Sequence, residues 1–459
     1  MVVDAFPSGF VWGVATSAFQ IEGAYNLDGR QPSIWDTYAA QSGFIEDGSN
    51  AQVACDHYHR YEEDIGLLKS LGVGAYRFSV AWPRVLPTGR GAVNTAGLDY
   101  YDRLVDALLA AGIAPWATLY HWDLPQRLGD NGGWTERSTV DAFVEFADAV
   151  TGRLGDRVAS WITHNEPWCV SVLGYAQGDH APGNTSWPDA LAASHHLLLS
   201  HGRSVPVIRA NAPRAKVGIT LNVSQCEPAS PSEADRISAR QFDGELSRWF
   251  LDPIYRGRYP KDVIEYHERE GRLPDGMSFV RPGDLETIHT PIDFLGVNYY
   301  SRAVVRSATI PEVENEPRTI AVPDPAELTD MGWEVHPDGL TEVLVRLNAD
   351  YEPGSLVVTE NGAAYGTGPG PDGSVEDALR CEYLRSHLRA CLAAIDAGAP
   401  LDGYFLWSLL DNFEWAFGFA KRFGIVWVDF DTQERIIKAS GHMYSRIVKS
   451  NRLGEGRAA

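Results

Sequence analysis

Cysteine is scarce in this chain. Its 459 residues include five: Cys55, Cys169, Cys226, Cys381 and Cys391, odd in number, widely spaced and without a C-x-x-C pair. This pattern argues against a disulfide framework and for a reducing compartment. No apolar run approaches the ~18 residues that a membrane-spanning helix needs, so no membrane association is expected. The segment Met1-Val2-Val3-Asp4-Ala5-Phe6-Pro7 lacks a basic region followed by an apolar one. A secretory signal is therefore not expected, and a cytoplasmic location is. Without secretion, the glycosylation-like triplets at Asn184 and Asn222 are chance matches. Basic residues are also in short supply, 39 Lys and Arg against 61 Asp and Glu, for a net charge of -22. Phosphate backbones need a basic surface, so nucleic acid is not an expected partner. The acidity reads as a solvated exterior and suits a neutral substrate. There is no P-loop, no dinucleotide fingerprint and no G-x-S-x-G elbow, and no cofactor is implied.

What is present is a core-forming alternation. Hydrophobic residues make up 44% of the chain, enough for a large interior. Short apolar runs with strand character occur at Phe10 to Ala15, Ala75 to Val80, Pro115 to Tyr120, Val158 to Ile162, Lys216 to Asn222, Phe294 to Tyr299, Leu356 to Val358 and Tyr404 to Leu409. Amphipathic helical runs fall between them, at Tyr58 to Leu71, Thr95 to Ala111, Ser138 to Leu154, Pro188 to Asn211 and Ala378 to Ala397. Strand-helix alternation implies a parallel sheet. Eight units without a composition break favour an α/β fold of the (β/α)8 TIM-barrel type. The expectation is one catalytic domain over residues 1–459, ordered from about 5 to 450, with extended βα loops. Ser301 to Trp333 is Pro-rich, acidic and aperiodic, and reads as a loop over the active face. Gly366 to Gly373 reads as a surface loop, and the tail after Arg452 as frayed.

Two segments carry chemistry. Thr163-His164-Asn165-Glu166-Pro167 and Thr359-Glu360-Asn361-Gly362 each follow a strand-like run. Each glutamate thus falls at a strand's C-terminal end, the catalytic face of such a barrel. Two carboxyl groups converging there are the equipment for hydrolysing a glycosidic bond. Other candidates are weaker. His57-x-His59 with Glu62, Glu63 and Asp64 fits no strong zinc spacing, and His195-His196 also reads as structural. Cys169 reads as packing near the site.

In order along the chain, the segments Phe6 to Gly23, Tyr76-Arg77-Phe78-Ser79, His121-Trp122-Asp123-Leu124-Pro125, Asn165-Glu166-Pro167, Gly296-Val297-Asn298-Tyr299-Tyr300, Glu360-Asn361-Gly362 and Leu410-Asp411-Asn412-Phe413-Glu414-Trp415 resemble the signatures of glycoside hydrolase family 1, the β-glucosidase family. The resemblance runs end to end. It departs at Phe19, where the family usually has Tyr, and at Ala420, where Ser is common.

The resemblance implies a retaining β-glucosidase that acts on terminal β-D-glucosyl residues, with galactosyl and fucosyl substrates open. Its substrates would be small β-glucosides and cello-oligosaccharides, a cellulose-degrading role. Glu360 would be the nucleophile, with Arg77 and Tyr300 favouring its charged form. Glu166 would be the acid/base. Asn165 would reach the sugar 2-hydroxyl, with Asn298 beside it. Gln20, His121, Trp122, Glu414 and Trp415 would bind the non-reducing-end sugar over a floor of Trp407. Trp168 and Trp333 would line the leaving-group side. The oligomeric state is not implied. Three alternatives stand beside this reading. A 6-phospho-β-glycosidase is disfavoured because a charged Glu414 would repel the phosphate. A thioglucosidase is disfavoured by Glu166, where those enzymes carry Gln. A catalytically inactive sugar-binding protein is disfavoured because both glutamates are present.

Overall fold

A computed structural model describes residues 4–310 and 328–454. The eight apolar runs are the strands of a closed parallel barrel: β1 (Val11–Ala15), β2 (Ala75–Ser79), β3 (Ala114–Tyr120), β4 (Ser160–Asn165), β5 (Lys216–Asn222), β6 (Phe294–Asn298), β7 (Leu356–Asn361) and β8 (Leu401–Trp407). Each strand pairs with its predecessor. β8 closes on β1, with Val11 opposite Gly403 and Ala15 opposite Trp407. Strands β2, β4 and β7 are buried along their whole length. Burial on both faces is why they read as continuous apolar runs rather than alternating ones.

The expected helices form at His57–Leu71, Thr95–Ala110, Ser138–Leu154, Trp187–Asn211 and Ala378–Asp396. The start of Trp187–Asn211 is chemically specified. The Ser186 hydroxyl accepts from the Asp189 amide, and Pro188 occupies the first turn, where its missing N–H costs nothing. No described helix is long and apolar enough to cross a membrane.

Inside the barrel Ala75, Trp116, Ile162, Phe294, Val357 and Phe405 form a plug. Trp116 lies 4.9 Å from Phe405 and 5.3 Å from Phe294 between ring centroids. This layer closes the floor, so polar residues nearer the strands' C-terminal ends face a dry base.

Two strands extend further than their apolar runs. β4 continues past Ile162 to Asn165, and β7 past Val358 to Asn361. Both are bulged there. Ile162 faces Gly218 and Asn165 faces Thr220, three steps on β4 against two on β5. Val297 faces Val358 but Asn298 faces Glu360, and Tyr404 and Leu406 face Val358 and Asn361. A bulge inserts a residue and re-aims the side chains beyond it. Thr163 and His164 consequently both bond the outer helix, through His201 and Ser200. Asn165 turns into the barrel.

Ser301 to Trp333 is less irregular than its composition implies. Ala303–Val305 pairs in parallel with Cys226–Pro228. Residues 311–327 of that loop and the last residues of the expected frayed tail lie outside the described residues.

The C-terminal segment is fastened by buried ions. Asp411 accepts from Lys438 at 2.7 Å and from Arg422 at 2.9 Å, and Asp64 accepts from Arg435 at 2.9 Å. Asp377 binds Arg380 at 2.8 Å and the Ser440 hydroxyl at 2.6 Å. His57 bonds Asp64 at 2.7 Å, and His195 bonds Asp284 at 3.0 Å.

β7 ends where space vanishes. A Cβ on Gly362 would lie 1.8 Å from the Trp407 carbonyl oxygen, a backbone atom that cannot swing away. Gly362→Ala should destabilise the fold by about 3 kcal/mol, measured as a drop in melting temperature. Unchanged stability would mean that the β7–β8 junction is loosely held.

Candidate active site

At the C-terminal ends of the strands a cavity of about 560 Å³ opens to solvent. Its chemistry is organised by Arg77 of β2, which is 1% exposed and lies behind the wall. One guanidinium nitrogen donates to Glu360 Oε1 at 2.6 Å and to the Thr359 carbonyl at 3.0 Å. Another donates to Asn165 Oδ1 at 2.6 Å. The Tyr300 hydroxyl supplies a second donor to Glu360, reaching Oε2 at 2.7 Å. Burial, with Glu360 and Glu166 nearby, pushes the Tyr300 phenol well up, so it stays a donor. Glu360 thus meets a cation and a hydroxyl, the partners an ionised carboxylate needs.

Glu166 meets neither. Its Oε1 accepts from Asn298 Nδ2 at 2.6 Å, and its Oε2 is hydrogen-bonded to the Cys169 thiol at 3.2 Å. Burial first, and the Glu360 carboxylate second, push its pKa up to about 7. One buried carboxyl has the cation and the other retains a proton near neutrality. Different environments for two carboxyls are what separates a proton donor from an anion.

Three residues of the cavity wall hold left-handed backbone that side chains rarely adopt: Trp122 (φ 81°), Glu166 (φ 48°) and Trp415 (φ 49°). Each is held by its surroundings. The Trp122 indole donates to the Asn165 carbonyl at 2.9 Å. The Glu166 amide donates to the Thr220 carbonyl at 2.9 Å, and the Trp415 amide to the Phe413 carbonyl at 3.0 Å. Strained residues of this kind gather at functional sites.

The inner end of the cavity is aromatic. Trp122 and Trp415 pack at 4.3 Å, and the His121 ring lies nearly parallel to Trp407 and to Trp415 at 5.8 Å. Burial, aided by Arg77, pushes His121 well below the ordinary imidazole range, so it is neutral. Its tautomer follows from Asn165. That oxygen faces Arg77, so the amide nitrogen faces His121 Nε2 at 3.2 Å. Nε2 therefore accepts and Nδ1 carries the proton, buried and without a partner. It is a free donor for a ligand hydroxyl. Gln20 is fully buried and lies beside Glu414, 3.4 Å away; its amide nitrogen also bonds the Phe413 carbonyl at 2.9 Å.

Glu414 corrects one argument made from the sequence. Burial first, then Glu360 and Glu166, push it up to about 8. The cavity therefore presents an acid there at neutral pH. The repulsion of a sugar phosphate expected from a charged Glu414 thus loses its source. The cation among the described lining residues is Arg302, already bonded to Glu227 and Glu334 at 2.7 Å each.

The outer end carries the expected Trp168 and Trp333, the latter 5.4 Å from Tyr300. Residues not read from sequence as part of the site also line the cavity: His180, packed 5.3 Å from Trp122, with Asn222, Met331 and Phe417. Asn222 ends β5, and the others come from the segments that follow β4, β6 and β8, whose packing no local pattern encodes. Cys169 was read as packing but is hydrogen-bonded to Glu166. Its spacing three residues on was the available signal.

A parallel barrel with two buried, differently tuned carboxyls at its catalytic face, beside flat aromatic rings, defines a glycoside hydrolase. Comparison with known proteins agrees. The chain matches glycosyl hydrolase family 1 over residues 2–453 and belongs to that family. It is 47% identical to Beta-glucosidase A of Acetivibrio thermocellus over 97% of this chain and 98% of that one. It is 46% identical to a bifunctional beta-D-glucosidase/beta-D-fucosidase of Bifidobacterium breve, over 96% of this chain and 98% of that one. It superposes on a family 1 β-glucosidase from Thermotoga maritima with a TM-score of 0.91 at 44% identity, covering 99% of this chain and 100% of that one. A solved complex of the T. maritima enzyme holds glucoimidazole.

The raised Glu414 has a consequence for stability. Its folded value of about 8 stands above the ordinary 4.5. Between those values the folded state keeps a proton that the unfolded state has lost. Its contribution is fully present below the unfolded value and is lost as pH rises through the folded one. Glu414→Gln titrates nothing there. Its melting temperature relative to wild type should rise between about pH 4.5 and 8 and then level off. A pH-independent difference would show Glu414 ionised throughout.

Proposed function

We propose that this chain is a retaining β-glucosidase working by double displacement, with Glu360 as nucleophile and Glu166 as acid/base. The observation that carries this assignment is the unequal partnering of the two buried carboxyls. Glu360 has Arg77 and Tyr300 as donors. Glu166 has neither and is pushed up to about 7. Glu360 attacks the anomeric carbon while Glu166 protonates the departing oxygen. Once Glu360 is esterified its charge is gone, so the largest charge raising Glu166 disappears. Glu166 then becomes a base for the incoming water.

The remaining site residues take supporting roles. Asn165, oriented by Arg77 and by Asn298, serves the 2-hydroxyl, a contact that strengthens in an oxocarbenium-like transition state. His121 offers its Nδ1 proton, and Glu414 its carboxyl, to hydroxyls of the terminal sugar. Gln20, beside Glu414, joins it in binding the terminal sugar. Trp407, Trp415 and Trp122 present rings to the sugar's C–H faces. Trp168 and Trp333 receive the leaving group. A protonated Glu414 both donates and accepts, which suits either O4 epimer and leaves fucosyl and galactosyl substrates open. The outer half of the cavity suits aryl groups or a further glucose, which supports cello-oligosaccharides as substrates. Five free thiols support a reducing, cytoplasmic location.

Two substitutions test the assignment. Glu360→Ala should abolish turnover, and azide should restore it with inverted product stereochemistry, because a small anion attacks from the vacated face. Substantial activity without azide would remove Glu360 from the role. Glu166→Ala should slow glucosides with poor leaving groups far more than dinitrophenyl glucosides, which need little protonation. In wild type, kcat/KM should fall as pH rises through about 7, and this limb should vanish in the variant. Equal losses for good and poor leaving groups would exclude acid catalysis by Glu166.

A further inference from the structure

The two oxygens of Glu166 are not equivalent. Asn298 faces Oε1, and its orientation is fixed from both sides. Its own oxygen accepts from the Thr359 hydroxyl at 2.8 Å. Its nitrogen donates to Asn165 Oδ1 at 3.1 Å and to Glu166 Oε1 at 2.6 Å. Asn165 Oδ1 is identified as an oxygen by Arg77, which can only donate. Turning the Asn298 amide over would set oxygen against oxygen and nitrogen against a hydroxyl donor. Glu166 Oε1 therefore always faces an N–H, and a proton placed there would meet another proton.

Oε2 faces a different kind of partner. The Cys169 thiol lies 3.2 Å away. Cys169 starts the helical segment Cys169–Gln177, so it sits three residues past Glu166 and on the same side of the turn. A thiol is a weak donor and a weak acceptor, free to rotate between the two. It is buried and lines the cavity. Burial first, with Glu166 and Glu360, pushes the thiol well above its ordinary range, so it stays protonated.

We propose that Oε2 is the oxygen of Glu166 that carries the transferable proton, and that Cys169 is the positioning residue that holds this oxygen in both of its protonation states. The proposal rests on Glu166 being the acid/base. In the first step the Oε2 proton passes to the glycosidic oxygen. The C1–O bond breaks with its electron pair on that oxygen, and a carboxylate oxygen of Glu360 bonds to C1. The thiol, an acceptor before transfer, rotates to donate to the new carboxylate. In the second step Oε2 takes a proton from water as the water oxygen bonds to C1 and the ester to Glu360 breaks. The thiol then turns back. A hydroxyl in its place would donate more strongly to the ionised form and hold the acid too weakly protonated. A methyl would offer nothing to either form.

The charged and titratable groups around Glu166 are Arg77 from β2, His121 after β3, Tyr300 after β6, Glu360 in β7 and Glu414 after β8. None is altered by a change at position 169, which isolates the thiol. The test is the pH profile of kcat/KM on an aryl β-glucoside with a poor leaving group. Cys169→Ser should move the basic limb to lower pH, because hydrogen bonds to an ionised acceptor exceed those to a neutral one. Cys169→Ala should move it to higher pH. Each shift should be roughly half a unit, and the acidic limb should stay in place. Shifts of the same sign, or none, overturn the proposal.

A second measurement needs no active variant. In wild-type protein the infrared S–H stretching band, isolated by subtracting the Cys169→Ala spectrum, should move to lower frequency as pH rises through the basic limb. It should stay constant in Glu166→Gln. A wild-type band that ignores pH overturns the proposal even if the variants are inactive. Failure of Glu166→Ala to discriminate between leaving groups would instead remove the underlying assignment.

Discussion

A single buried guanidinium sets the terms for this active site. Arg77 rises from β2 and touches β3 through the Thr118 hydroxyl at 3.2 Å, β4 through Asn165, and β7 through Glu360 and the Thr359 carbonyl. Taking a cation out of water costs several kcal/mol unless its hydrogen bonds are met. Here they are met by groups that must converge for the chemistry. The same contacts that repay its desolvation therefore assemble the site. Without Arg77, Glu360 would be a buried carboxylate with one phenolic donor, and Asn165 would lose what fixes its amide.

The scarcity of cations decides where protons reside. Glu166, Glu360 and Glu414 share one cavity, and of the three it is Glu360 that Arg77 hydrogen-bonds. The two others stand at about 7 and about 8. The interior is thus far less negative near neutrality than its three carboxyls suggest. On the proposed reading, a neutral sugar would meet groups that can both give and accept hydrogen bonds, with Arg77's charge directed at Glu360 alone among the carboxyls. The exterior, at a net charge of -22, obeys no such limit because water solvates it.

The fold and the two glutamates were legible because burial on both faces writes barrel strands as apolar runs, and catalytic side chains sit at their ends. Those runs stop at Ile162 and Val358. The strands do not, and the difference lies in the bulges that turn Asn165 inward and bring Glu360 opposite Asn298. Register belongs to a pair of strands, so a single strand's sequence does not encode it. Glu414 was read with the charge it has in water, and burial, visible only in three dimensions, removes that charge. His180 and Phe417 reach the cavity by loop packing, which follows no period. The motif around Glu166 displayed Cys169 at the right spacing, but its bond to the carboxyl depends on a left-handed turn that no residue type there announces.

The closure of the barrel has a consequence for how the protein is made. β1 lies against β8, so the first strand to leave the ribosome waits for a partner about 390 residues behind it. Phe405 and Trp407 arrive with that last strand and Glu414 just after it, and Lys438 and Arg422 must follow before Asp411 finds its ions. Contacts so distant in sequence form slowly, and until they do apolar strand edges stay open. A ribosome-bound chain that already displays both glutamates has no enclosed cavity in which to use them. A chain cut short before Leu401 would lack β8, and with it the closed barrel that shapes the cavity.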